Sequence, residues 1–173
     1  MVGQRRSRVW GAAAMLVAVT LLGGCGEPDE QQVRDSVAAS ESSVKDAVNE
    51  IHEALGASGL EFESASGEWE SCRTQPEPGF RFYASGPLQD NGEDPAARVQ
   101  AATEALERLG WSVTDAGSEP RPYATLEQGE STLTVAESKV NPGSVSLGVR
   151  GECLDSTQDL AAELIGESQQ LLP

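Results

Sequence analysis

Val33, Val37, Val44, Val48, Ile51 and Leu55 recur at spacings of three, four and seven, which gathers them on one stripe of a helix with 3.6 residues per turn. The pattern predicts a helix from about Glu30 to Ala57, with Ser40 as the single interruption and Glu41 and Lys45 as an i,i+4 pair on its wet side. Gly56 and Gly59 mark its end. At 1.5 Å per residue such a helix is about 40 Å long. Its first turns can serve as a stalk, or the helix can pack across a sheet; a heptad pairing with a partner helix is the competing use of the same thin stripe.

Past residue 60 the period changes to two. Leu60 and Phe62 make an irregular approach or a short strand, and Gly67–Arg73 reads as a strand. Pro76, Pro78 and Gly79 make a turn, and Phe80–Ala84 is a strand with both phenylalanines inward. Ser85–Asp94 reads as loop. Asp94 as N-cap and Pro95 at the first helical position open a second helix, whose inner face is Val99, Ala102, Leu106 and Leu109. Gly110 stands at C′, with Trp111 folding back on Leu106.

Trp111–Thr114 is expected as a strand with Trp111 and Val113 on one face. Gly117–Pro122 is a turn, and Tyr123–Glu127 and Ser131–Ala136 form a hairpin through Gln128-Gly129-Glu130. After the Asn141-Pro142-Gly143 turn, Val145, Leu147 and Val149 alternate with small polar residues. Ser156 and Asp159, spaced as a capping box, open a terminal helix with Leu160, Leu164 and Ile165 inward and an end near Gly166. No strand is apolar enough to be buried on both faces. The expected fold is α+β: an antiparallel sheet of four to six strands with helices on one face, a long N-terminal helix and a short C-terminal one.

The 28 acidic against 12 basic residues, a net charge of -16, argue against nucleic acid, whose phosphates need a basic patch. The first residues have a different character. Arg5, Arg6 and Arg8 precede Val9–Leu22, fourteen uncharged residues, too few for the roughly twenty that cross a membrane as a helix. Basic start, short apolar run and small residues are the parts of an export signal. Leu22-Gly23-Gly24-Cys25 resembles the lipobox of bacterial lipoprotein precursors. That resemblance implies transfer of diacylglycerol to the Cys25 thiol, cleavage between Gly24 and Cys25, and an acylated, palmitate-bearing N-terminus at Cys25. It divides the chain into a signal at residues 1–24, a tether at 25–32 and one extracytoplasmic domain at 33–173. Losing three arginines and no acid, the mature chain carries 9 basic and 28 acidic residues, a net -19, so the acyl chains alone hold it to the cell membrane.

Cys72 and Cys153 are then the remaining cysteines, and an oxidising compartment makes a disulfide between them the expectation. Neither lies in a CxxC pair. Trp69-Glu70-Ser71-Cys72, the Phe80–Tyr83 strand, Leu109-Gly110-Trp111 and Gly151-Glu152-Cys153 look like a broad group of small, uncharacterised actinobacterial proteins, secreted or lipid-anchored. The resemblance spans residues 30–155 and implies an exported domain with a paired cysteine; it carries over no catalytic residue.

Candidate chemistry is sparse. Ser42-x-x-Lys45 has the spacing of serine penicillin-binding enzymes but lacks their companion motifs. His52 is the one histidine, so a His-containing triad could be built only on it, and a zinc site would need two or three further ligands from carboxylates with no spacing signature for them. Asp90, Asn91, Glu93 and Asp94 are oxygen-rich without EF-hand spacing. No catalytic, metal or cofactor site is assigned. Tyr83 and Tyr123 are the residues expected to line a ligand face. The functional expectation is a non-enzymatic binding or scaffolding domain, whose partners are membrane lipid through Cys25 and an envelope protein. A carrier of a small apolar or amphipathic ligand and an envelope hydrolase are the alternatives.

Overall fold

A computed structural model describes residues 30–75, 77–155, 158–166 and 168–172. The signal, Cys25 and Ser156 lie outside these. Helix α1 (Glu30–Ala57) precedes strands β1 (Ala65–Arg73) and β2 (Gly79–Pro87), then helix α2 (Pro95–Arg108). Strands β3 (Ser112–Gly117), β4 (Tyr123–Gln128), β5 (Ser131–Glu137) and β6 (Val145–Arg150) follow. β7 (Leu154–Asp155), helix α3 (Gln158–Leu164) and β8 (Ser168–Leu172) complete the order.

The strands form one antiparallel sheet in the order β3-β4-β5-β6-β2-β1-β8, with the two-residue β7 also on β2. Its inner face carries Ala65, Trp69, Phe80, Phe82, Ala84, Ala124, Leu126, Leu133, Val135, Leu147 and Val149, all buried. α1 crosses β2 and β6, α2 crosses β3 to β6, and the two helices touch each other. The expected α+β class therefore holds, with one correction: the sheet has eight strands, not four to six. β8 was invisible because Ser-Gln-Gln-Leu-Leu at a sheet edge has no two-residue alternation over most of its length. β7 exists only as an annex to β2.

Four local expectations meet different outcomes. Trp111 and Val113 do not share a face: Trp111 is buried at the helix exit, whereas Val113 is 40% exposed. β3 is an edge strand with no fully buried residue, and its register slips after Val113. The segment expected as loop from Ser85 is strand as far as Pro87, and Leu88 bridges Phe62. Leu160 and Leu164 do pack on the core, while Ile165 is 47% exposed.

α1 resolves into two parts. Residues 31–36 are mostly exposed, and burial begins at Val37. From there the stripe packs on the sheet. Ser40 falls where α1 passes close to Gly151, just past β6: a side chain added at Gly151 would lie 2.9 Å from Val44 Cγ2 and 3.1 Å from Ser40 Oγ. The break in the apolar stripe is the small residue that this approach requires. At the other end Gly59 has φ +76°, and Leu60 N–H donates to Leu55 O at 2.9 Å while Gly59 N–H donates to Gly56 O at 3.1 Å, a Schellman closure. α2 ends the same way, with Gly110 at φ +94° and Trp111 N–H on Leu106 O at 3.2 Å. It begins as expected, Asp94 Oδ1 accepting from Ala96 N–H at 2.8 Å.

The expected Glu41–Lys45 pair forms at 2.6 Å but is not simply on the wet side. Glu41 Oε1 also accepts from Gln169 Nε2 at 2.9 Å, clasping the edge strand β8 to α1. Burial raises the Glu41 pKa, and hydrogen bonds from Lys45, Gln169 and Trp69, with the Lys45 charge, outweigh it, so the net shift is below the ordinary carboxylate value. A folded-state pKa that is depressed adds stability above the ordinary value and loses it as pH falls through the lower, folded one. Hydrogen-exchange protection factors of Gln169–Leu172 are therefore expected to drop as pH falls below the ordinary carboxylate range. Glu41→Gln should lower them at neutral pH and flatten that pH dependence. Unchanged β8 protection in this variant would refute the clasp.

Candidate functional site

Helices cover one face of the sheet; the other carries the residues that alternate with the core. Three cross-strand rows describe it. One runs Glu68, Tyr83, Arg150, Thr132, Glu127, Ser112 from β1 to β3. The next runs Ser66, Ser85, Gly148, Thr134, Thr125, Asp115. The third runs Pro87, Ser146, Ala136, Tyr123, Gly117. Hydroxyl groups dominate this face; its two arginines, Arg81 on β2 and Arg150 on β6, are neighbours, and its carboxylates are spread from β1 to β3.

Both tyrosines lie on this face. Three strand positions and four residues along the strand separate them, about 20 Å at ordinary sheet spacings. They do not converge on one groove. Each covers a glycine across the strand pair: a Cβ at Gly148 would sit 2.8 Å from Tyr83 Oη, and one at Gly117 would sit 2.8 Å from Tyr123 Cε1. Aromatic rings laid over strand glycines pin register and fill space. The Tyr123 hydroxyl donates to Asp115 Oδ2 at 3.0 Å, and this bond and the Asp115 charge raise its pKa.

Around Tyr83 the face is charged. Arg81, opposite Glu70, donates through Nε to Glu70 Oε1 at 2.7 Å, and Arg150 donates through Nε to the same oxygen at 3.3 Å. The Arg150 guanidinium lies 4.5 Å above the Tyr83 ring centroid, within reach of a cation–π attraction. Glu70 and Arg81 on one strand pair and Tyr83 and Arg150 on the next are thereby joined into a single constellation. Its signal in the sequence was faint: the alternation Phe80-Arg81-Phe82-Tyr83 puts Arg81 and Tyr83 outward, but only the β2–β6 pairing brings Arg150 beside them.

The helix side offers an open furrow between α1 and the β4–β5 turn. Two adjoining hollows of about 540 and 520 Å³ share Ala39, Ser43, Gln128 and Ser131. Ser40 Oγ is buried at its side without a protein partner among the described residues. The remaining candidates are engaged in the structure of the chain. Lys45 pairs with Glu41, and exposed His52 lies with Nδ1 3.2 Å from Phe62 O. Asp90 and Asn91 accept from the backbone N–H groups of Gly92 and Glu93. No group of three or more His, Cys, Asp or Glu among the described residues is placed to hold a metal ion. Arg98, 1% exposed, is a feature that helical periodicity did not single out: Nη1 donates to Gln89 O at 3.3 Å and Nη2 to Gly143 O, tying two loops to α2.

Cys72 and Cys153 form a disulfide, with Cα atoms 6.0 Å apart. None of the described helices is long and apolar enough to cross a membrane. The chain belongs to the family described as "Putative lipoprotein LppJ", matching it over residues 29–167. No curated protein and no solved structure matches it.

Proposed function

We propose that the chain is held to the cell membrane by an acylated Cys25 after removal of residues 1–24, and that the domain at 33–173 is a non-enzymatic binding module on the extracytoplasmic side. The tether at 25–32 overlaps the first turn of α1, whose exposed turns before Val37 lift the sheet away from the headgroups. The observation that carries the binding reading is the uncovered polar face. Rows of hydroxyls with the Glu70, Arg81 and Arg150 cluster lie on a sheet whose other face packs against α1 and α2. Continuous packing of the core beneath the helices favours recognition at this surface over carriage of an apolar ligand inside.

The anchor is tested on the full chain expressed in a bacterium with lipoprotein processing. The mature protein is expected to begin at Cys25, carry the mass of a diacylglyceryl group and remain with the membrane fraction. Cys25→Ser should remain uncleaved and unacylated. A parent chain of unmodified Cys25 mass would end the lipid-anchor reading.

A further inference from the structure

We propose that the Arg81–Glu70–Arg150 cluster is a binding site for a single anionic group, a carboxylate or a phosphate, presented on an uncharged, hydroxyl-rich ligand. The inference deepens the surface-binding reading above and rests on it. One carboxylate faces two guanidinium groups: Arg81 Nε and Arg150 Nε both donate to Glu70 Oε1, at 2.7 and 3.3 Å. Glu70 balances one positive charge and leaves the other uncompensated. Each guanidinium has five N–H donors and uses the one on Nε. Neither Nη group of either arginine has a protein acceptor among the described residues, and the two side chains are 30% and 31% exposed. The unused Nη pair is the edge of a guanidinium that receives a carboxylate or phosphate in two parallel hydrogen bonds.

The donors are also held in place. Arg150 lies over Tyr83 at 4.5 Å, Tyr83 is laid over Gly148, and Arg81 is fixed by its short bond to Glu70. Side chains ordered before binding lose less freedom when the ligand arrives.

The surroundings select what carries the anion. Thr132, directly opposite Arg150, and Ser66, Ser85 and Thr134 on the next row supply uncharged hydroxyls. Glu68 beside Tyr83 and Glu127 beyond Thr132 are exposed and have no ion pair among the described residues. In a chain with a net charge of -16, these flanking carboxylates repel a polyanion and tolerate a lone negative group. An acidic sugar or a sugar phosphate has the required chemistry, and a nucleic acid does not.

The test uses the full chain in detergent micelles, labelled with ¹⁵N-arginine and titrated separately with galacturonate, glucose 6-phosphate and galactose. One or both anions are expected to shift the Nε resonances of Arg81 and Arg150 saturably, the responding anion identifying the group as carboxylate or phosphate. Galactose should leave them in place. Arg150→Gln retains the Glu70–Arg81 pair and should weaken binding at least about tenfold, the equivalent of one charge-assisted hydrogen bond. Glu68→Gln should strengthen it. The site is overturned if neither anion moves the two Nε resonances, or if Arg150→Gln binds like the parent with amide dispersion showing it folded. A response to galactose equal to that of the anions overturns the anion site alone and leaves the surface-binding reading standing.

Discussion

Replacing Cys72 and Cys153 together by alanine is expected to cost about 4–5 kcal/mol of unfolding free energy. The two cysteines are 81 residues apart, and in the chain-entropy account a closed loop of that length removes about 4.5 kcal/mol of freedom from the unfolded ensemble. The loop contains β2 to β6 and α2, so opening it frees most of the sheet at once. The native site is shaped for the bond. Cys72 is near the end of β1, Cys153 follows β6, and Gly79 between them leaves room. A side chain there would meet Cys153 Sγ at 2.9 Å and Cys72 Sγ at 3.3 Å. Urea unfolding of the oxidised parent, the reduced parent and the double alanine variant measures the effect. The last two should agree, and reductant should leave the variant unchanged. A loss below about 1 kcal/mol would mean that the denatured chain gains little freedom when the bridge is absent.

The elements most legible in the sequence are those where one residue type has one physical reason to be present. Asp94-Pro95 and Gly110 bound α2 because only a few side chains can cap a helix start and glycine best takes the positive φ at its end. The two-residue hairpin at Gly129 is similar: φ +59° falls on the glycine, the first central position of a type II′ turn. The stripe on α1 shows its period, and Ser40, which reads only as an interruption, turns out to face Gly151. Tertiary partners were less visible. β8 depends on Gln169 meeting Glu41 from 128 residues away, and Arg98 reads as a solvent-facing helical residue until Gln89 and Gly143 are brought to it. The anionic-group cluster was hidden for the same reason. Glu70, Arg81 and Arg150 come from three strands, and the sheet order that joins them is set by where β6 inserts between β5 and β2. Alternation shows which face a strand residue takes; it does not give its neighbour on the next strand.

Phe82→Ala is expected to destabilise the domain by about 4 kcal/mol, the cost of an emptied aromatic site in a packed core. Phe82 is fully buried and meets Trp69 edge-to-face at 5.5 Å between ring centroids. Its far edge fills the place where Gly67 has no side chain: a Cβ at Gly67 would lie 2.4 Å from Phe82 Cζ and 2.7 Å from Cε1. The ring cannot swing away, because β1 packs beside it and α1 closes over β2. Gly67→Ala alone should therefore cost about 1–3 kcal/mol through overpacking. Combined with Phe82→Ala, the new methyl group enters the space that the ring has left, and the double variant should be more stable than the sum of the two losses by at least about 1 kcal/mol. Strict additivity in a urea-unfolding double-mutant cycle would show that Gly67 is needed for its backbone and not for the room it gives to Phe82. A coupling of the expected sign would establish that this glycine and this ring are one unit of the core, with Trp69 packed edge-on beside them.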